Sequence, residues 1–154
     1  MELKDALQIT AAGFAGLFAG NAMYIHAADH PARMQLDTKN LRMVWAEGFH
    51  RAKKFQGAMV LISAGSAAGV GYLEANADKR CLWFLGAGLF FTVWPYTVAV
   101  MFRDIYKNLD PDVFKKEGEE WSRNHIIRWN KQHGYRTAVS MIAFGIFLYG
   151  MVKK

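Results

Sequence analysis

CLWFLGAGLFFTVWPYTVAVMF, residues 81–102, is 22 residues long and contains no Lys, Arg, Asp or Glu. A helix of about 20 apolar residues crosses the roughly 30 Å hydrocarbon core of a bilayer, so this stretch reads as a transmembrane helix. Working outward, the windows 6–28, 55–73 and 137–152 are equally free of formal charge. The last is short, but Tyr135 and Arg136 extend it at the interface, because arginine carries its head group toward water. The pattern predicts an all-α fold: one domain over 1–154, a four-helix up-down transmembrane bundle with spans of about 6–28, 55–73, 81–102 and 135–152. Uncharged helices also occur inside soluble bundles, but those usually keep a polar face, and these windows hold few strongly polar residues on any face. The first window is long and is preceded by both acidic and basic residues, so it is expected to remain rather than be cleaved as a signal peptide. Gly16 and Gly20, and Gly65 and Gly69, have the small-xxx-small spacing that lets transmembrane helices approach closely.

The connections set the topology. EANADKR is a short turn between spans two and three, whereas 29–54 and 103–136 are two long charged segments that belong on one side. That side carries 14 of the 19 Lys and Arg and 9 of the 13 Asp and Glu, a formal charge of 14 minus 9, or +5. The positive-inside rule then places the long segments in the cytoplasm or its equivalent, with both termini opposite. An integral multi-pass membrane protein follows; endomembrane and mitochondrial inner membrane are both compatible. Membrane lipids with anionic head groups, or an acidic phenol or carboxylate substrate, suit the positive face. No nucleic-acid-binding motif accompanies the basic residues. Leu41, Val44, Trp45, Phe49, Ala52, Phe55 and Met59 follow helical spacing, which predicts an amphipathic helix running into span two. In the second segment Asp110 or Asp112 is placed to cap a helix start, with Trp121 and Trp129 as interfacial anchors. A single cysteine, Cys81, excludes an internal disulfide.

This topology gathers all five histidines, His26, His30, His50, His125 and His133, toward one side. Arginines accompany three of them: Arg33 near His30, Arg51 beside His50, and Arg136 one turn after His133. Pro95, inside span three, removes one helical hydrogen bond and clashes with the Phe91 carbonyl, favouring a kink. It lies about 10 Å deep at 1.5 Å per residue. Asn21, at similar depth in span one, is then expected to line a cavity with Tyr24, Ser63, Trp94 and Tyr96. The ordinary alternative for each is packing or a bond to a neighbouring helix.

The strings AGLFAGNAMYIHAADHPARM, WAEGFHRAKKFQ, PYTVAVM and WNKQHGYRTAVSMIAF resemble, in order and spacing, the anthrone oxygenase-like (DUF1772) membrane family over nearly the whole chain. After Met101 the chain reads FRDIYKNLD where the family often continues with a Pro-Thr-Asn-like turn. The resemblance implies a four-helix membrane protein that oxidises a hydrophobic aromatic small molecule, an anthrone-like polyphenol, with molecular oxygen and without a conventional cofactor. It carries over His30, Pro31 and Arg33 from the first motif, Arg51 and Gln56 from the second, Pro95 from the third, and Trp129, His133 and Arg136 from the fourth. Such chemistry needs a base for an activated C–H proton, a role suited to a histidine, His133 first and His30 second. It also needs a positive partner for the developing oxyanion: Arg136, Arg33 or Arg51. Trp129 and Trp94 would cover the flat rings.

Other readings use the same residues. Pro31 is expected to end the first helix, biasing His30 away from helical geometry. Arg33, Arg51 and Arg136 have head groups, Asp29 or Glu47 as partners, and Gln56 reads more readily as a helix-entry hydrogen bonder than as a substrate ligand. His26 and His30, at i,i+4, with His50 or His133, form an alternative copper, iron or haem site, although no CxxCH signal is present. A non-catalytic accessory role beside other membrane protein subunits, as in a respiratory complex, is the alternative from outside enzymology; the amphipathic residues 41–59 would then be a docking surface.

Overall fold

The computed structural model describes residues 2–153, and among them every regular element is helical. Each uncharged window lies within one helical stretch, because only a helix satisfies its own backbone where water is absent. Helix α1 (Leu3–Tyr24) begins with the Asp5 carboxylate accepting from the Glu2 N–H at 3.2 Å. Helix α3 (Thr38–Leu73) is capped by Asp37, whose carboxylate accepts from Asn40 N–H at 3.1 Å. Helix α4 (Ala77–Phe91) is capped in the same way by Asn76 on Lys79 N–H, at 3.1 Å. Helix α8 (Glu119–Val152) starts after Gly118, whose φ of +88° suits glycine alone, with Glu119 and Glu120 in the first turn where the helix dipole favours anions.

Pro31 does not end the first helix. A π-helical turn, Ile25–Asp29, leads directly into α2 (His30–Arg33), and His30 itself is helical at φ −62°, ψ −49°. A π-turn is wider than an α-helical turn, which gives a proline ring room against the carbonyl four residues before it. At Pro95, by contrast, the helix is broken before the proline and widened after it. Thr92 separates α4 from α5 (Val93–Tyr96), and a second π-turn, Thr97–Met101, leads into α6 (Phe102–Leu109). The Thr92 and Thr97 hydroxyls bond back to the Leu89 and Val93 carbonyls, both at 2.6 Å, satisfying acceptors around the break.

Three stretches, Thr38–Leu73, Ala77–Leu109 and Glu119–Val152, are long and apolar enough to cross a membrane. Helix α1 falls short of them because Gln8, Thr10 and Asn21 dilute an Ala- and Gly-rich sequence. It packs against α3 and α8, as does α4. Helices α3 and α4 run antiparallel, since only Glu74–Asn76 joins them. The main core lies among these four and is built around Phe18, Val60, Trp83, Phe90 and Phe147. A second cluster, including Leu41, Trp45, Phe49, Ile105 and Trp129, extends it toward the charged segments.

The buried stripe of α3 is Leu41, Trp45, Phe49, Gln56, Met59 and Val60; Val44 and Phe55 are exposed instead. At 3.6 residues per turn the buried face passes to Gln56 after Phe49, which turns Phe55 outward. Gly16 and Gly69 touch Phe144 and Leu7, but Gly20 and Gly65 face open space, so neither glycine pair makes a two-point helix seam. Asp112 stands at the start of the one-turn α7 (Val113–Lys116) without capping it by a side-chain bond. The two charged segments are tied together: Arg42 donates to the Asn108 and Asp110 carbonyls, and Arg123 to those of Met34 and Leu36.

Candidate active site

Between the end of α1, α3, the interrupted α4–α6 stretch and α8 lies a cavity of about 350 Å³. That is within the size range of small-molecule sites. One part of its polar lining is a relay of three side chains from three helices. Gln56 donates to Asn21 Oδ1 at 2.5 Å and accepts from Arg136 Nη2 at 2.7 Å. The relay holds Gln56 by both ends of its amide, and Gln56 in turn fixes the guanidinium.

Arg136 is 8% exposed and its carbon Cζ stands 5.4 Å from the centre of the Phe18 ring. Among the described residues no carboxylate lies within ion-pair distance of it, and its Nε–H has no partner. A buried cation costs several kcal/mol unless it is compensated. Only a neutral amide and an aromatic face serve Arg136 here, so the cavity wall presents a guanidinium with donor capacity left over for an anionic oxygen.

His133 lies one turn before Arg136 on α8 and lines the same cavity. It is 1% exposed, and neither ring nitrogen has a hydrogen-bond partner among the described residues. The Trp129 ring packs on it at 5.1 Å, and Trp45 meets Trp129 edge-on at 5.9 Å. Trp45, Phe49, Trp94, Phe102 and Trp129 give the cavity flat aromatic walls. Asp29 and Arg33 also line it as a two-point ion pair, Nε to Oδ1 at 2.9 Å and Nη2 to Oδ2 at 2.8 Å. The guanidinium lies over Gly48, where a Cβ would meet it at 3.1 Å.

Of the residues singled out from sequence, Asn21, Tyr24, Arg33, Gln56, Trp94, Trp129, His133 and Arg136 come together around this cavity. Five do not line it. His30 is buried beside it, and burial, with help from His26 and Arg33 and against Asp29, holds its imidazole below the ordinary value of 6.5. Arg51 points outward and pairs with Glu47 at 3.5 Å. Ser63 is spent on a helix–helix bond to the Ala11 carbonyl at 2.7 Å. Tyr96 stacks on Tyr135 at 4.1 Å, and Pro95 acts through the backbone break that presents Trp94 and Thr97. Trp129 is buried in the wall, not an interfacial anchor. It lies four residues, about one helical turn, from both His125 and His133, which turns it inward with them.

Residues that sequence reasoning did not assign to the site include Trp45, Phe49 and Lys53. The helical stripe had marked the first two as apolar, and Lys53 stands one turn from Gln56 on the same face. Among the described residues no three His, Cys, Asp or Glu side chains are grouped so as to hold a metal ion. The cavity therefore combines a buried cation, an unpartnered imidazole and aromatic walls. That set suits a planar molecule with an acidic C–H conjugated to an oxygen that becomes anionic.

Residues 45–146, about two thirds of the chain, match the family model described as anthrone oxygenase. The matched stretch contains Gln56, Trp94, Trp129, His133 and Arg136, while Asn21, Tyr24 and Arg33 precede it. No curated protein and no solved structure matches the chain.

Proposed function

This chain belongs to the anthrone oxygenase family, and from that premise we propose that it is a membrane oxidoreductase converting an anthrone-like polyphenol to the corresponding quinone with molecular oxygen. The observation that carries the reading is the pairing, on one wall of an aromatic cavity, of unpartnered His133 with an Arg136 that lacks a carboxylate. The carbonyl oxygen of the substrate sits against Arg136, and the methylene carbon opposite it faces His133. The imidazole removes a C–H proton, and the electron pair moves into the ring system as an enolate whose oxygen the guanidinium stabilises.

The enolate passes one electron to oxygen, and the resulting radical and superoxide combine to form a C–O bond. His133 returns its proton to the peroxide. Loss of the second C–H proton breaks the O–O bond, leaving a new carbonyl and releasing water. One oxygen atom ends in the quinone and the other in water, so the substrate's own electrons reduce the oxygen and no metal or organic cofactor enters the balance.

In the same reading α1 joins the three long apolar helices as a fourth span in an up-down bundle, with the two charged segments on the cytoplasmic side or its equivalent. The cavity then opens near that interface, where a hydrophobic aromatic molecule partitions. The test is direct. Purified protein in lipid nanodiscs, given anthrone, should consume one oxygen per quinone formed, unaffected by chelators, and His133→Gln should abolish the excess over the uncatalysed rate. Quinone formation no faster than in empty nanodiscs across a panel of anthrones would end this reading.

A further inference from the structure

The cavity carries more positive charge than the oxyanion step uses. Three cations line it, Arg33, Lys53 and Arg136, against one carboxylate, Asp29. Asp29 is already engaged by Arg33 through both oxygens. That leaves Lys53 and Arg136, and among the described residues neither has an acidic partner. Lys53 is half-buried, and its Nζ is held between two aromatic faces, 5.7 Å from the Phe49 ring centre and 5.8 Å from that of Tyr106. Aromatic faces attract an ammonium but leave its donors unsatisfied. Lys53 precedes Gln56 by three residues on α3, so it stands on the same face about 4.5 Å along the axis, toward the charged segments.

We propose that Lys53 is a specificity-determining residue that receives a second acidic group of the substrate, so that the cavity takes planar aromatic acids carrying an ionised carboxyl or acidic phenol at the edge remote from Arg136. This rests on the aromatic-substrate reading above, but not on turnover. Two unneutralised cations on the lining, Arg136 held by Gln56 and Lys53 about one turn from Gln56 toward the charged segments, match a flat ligand with two anionic oxygens: the reacting one against Arg136 and a permanent one against Lys53. A neutral anthrone would satisfy the first and leave Lys53 facing apolar carbon, at a desolvation cost.

Binding of oxygen-stable probes separates this from catalysis. Anthraquinone-2-carboxylate and 2-methylanthraquinone would be titrated into protein in zwitterionic-lipid nanodiscs, reading quenching of the cavity tryptophans. The carboxylate should bind about tenfold tighter or more, as expected of a hydrogen bond to a charged group. Lys53→Met should remove that preference, with the neutral probe binding at least as tightly as in the wild type, and Lys53→Arg should keep it. A preference that survives in Lys53→Met, no preference in the wild type, equal loss of both probes, or no binding of either overturns the proposal. Displacement of the aromatic carboxylate by dodecanoate at matched concentration would also overturn it, by showing a general lipid-acid site. Carboxylate selectivity through Lys53 in a protein that oxidises no anthrone would uphold this inference and defeat the oxygenase reading; oxidation with no selectivity would do the reverse.

Discussion

Arg136 donates to Gln56 at 2.7 Å, and the other end of the same amide is bound to Asn21. Three helices thus determine where the guanidinium points. Gln56→Leu should remove the anchor without removing the charge, and Arg136→Lys should keep the charge but lose the planar fork. For a donor aimed at a developing oxyanion, each loss is worth about 10² to 10³ in kcat. We expect Arg136→Lys to fall in that range and Gln56→Leu to fall less, with anthraquinone binding retained in both. Equal activity in Arg136→Lys and wild type would reduce Arg136 to a general positive charge.

His133 is buried against Trp129, so truncation is a poor test of its chemistry. His133→Ala would open a hole under Trp129 as well as remove a base. His133→Gln fills most of that volume and cannot take up a proton at neutral pH. Oxidation should drop by about 10² to 10⁴ fold, the range for a positioned acid–base group. Thermal unfolding of His133→Gln should stay close to that of the wild type, and a collapse in stability matching the activity loss would argue for a packing role.

Much of the fold was legible because charge is segregated so sharply along the chain. Every uncharged window lies within a helical stretch, and α3 overruns its window where amphipathic residues such as Leu41 and Trp45 continue the same face. Local rules were less dependable. The proline rule for His30 is a preference about two adjacent residues, and a π-turn upstream was enough to override it. Asn21 and Ser63 look alike in sequence, as small polar residues in apolar helices. One faces Gln56 across a cavity and the other the Ala11 carbonyl, a difference set by helix rotation that periodicity does not resolve. Lys53 was hidden by its charge: a lysine near a helix entry ordinarily points to solvent, and only the position of Tyr106 on α6 reveals the half-buried alternative.

Gly86 tests the packing of the main core away from the cavity. A Cβ at this position would meet the Phe147 ring at 2.5 Å and Ile146 at 3.1 Å. Phe147 has little room to retreat, since it stacks on Trp83 with ring planes 9° apart. Gly86→Ala should therefore destabilise the protein by about 1–3 kcal/mol, the cost of overpacking. Denaturation in mixed micelles would measure it. Gly88→Ala, which meets nothing within 4 Å, is the matched control and should be nearly silent.

Orientation follows from charge alone and is tested separately. In a Cys81→Ser background, single cysteines near residues 3 and 152 should react with an impermeant maleimide added outside intact cells, and one near residue 115 should react only after permeabilisation. The basic excess on the two long segments supports this arrangement. The reverse labelling pattern would invert the topology while leaving the helix packing untouched.

The last test uses the buried His30. Its folded imidazole titrates below 6.5 because burial disfavours the charged form, and His26 and Arg33 add to that effect more than Asp29 opposes it. Between the folded value and 6.5 the unfolded chain binds more protons at this site, so stability rises with pH across that window and is lost as pH falls through it. His30→Gln removes this dependence and keeps an uncharged polar side chain. Tm followed downward from about pH 7.5 should fall more steeply in the wild type than in His30→Gln once pH passes below about 6.5, and the two curves should run parallel above it. Parallel curves throughout would show that the His30 proton is bound equally in the folded and unfolded chains.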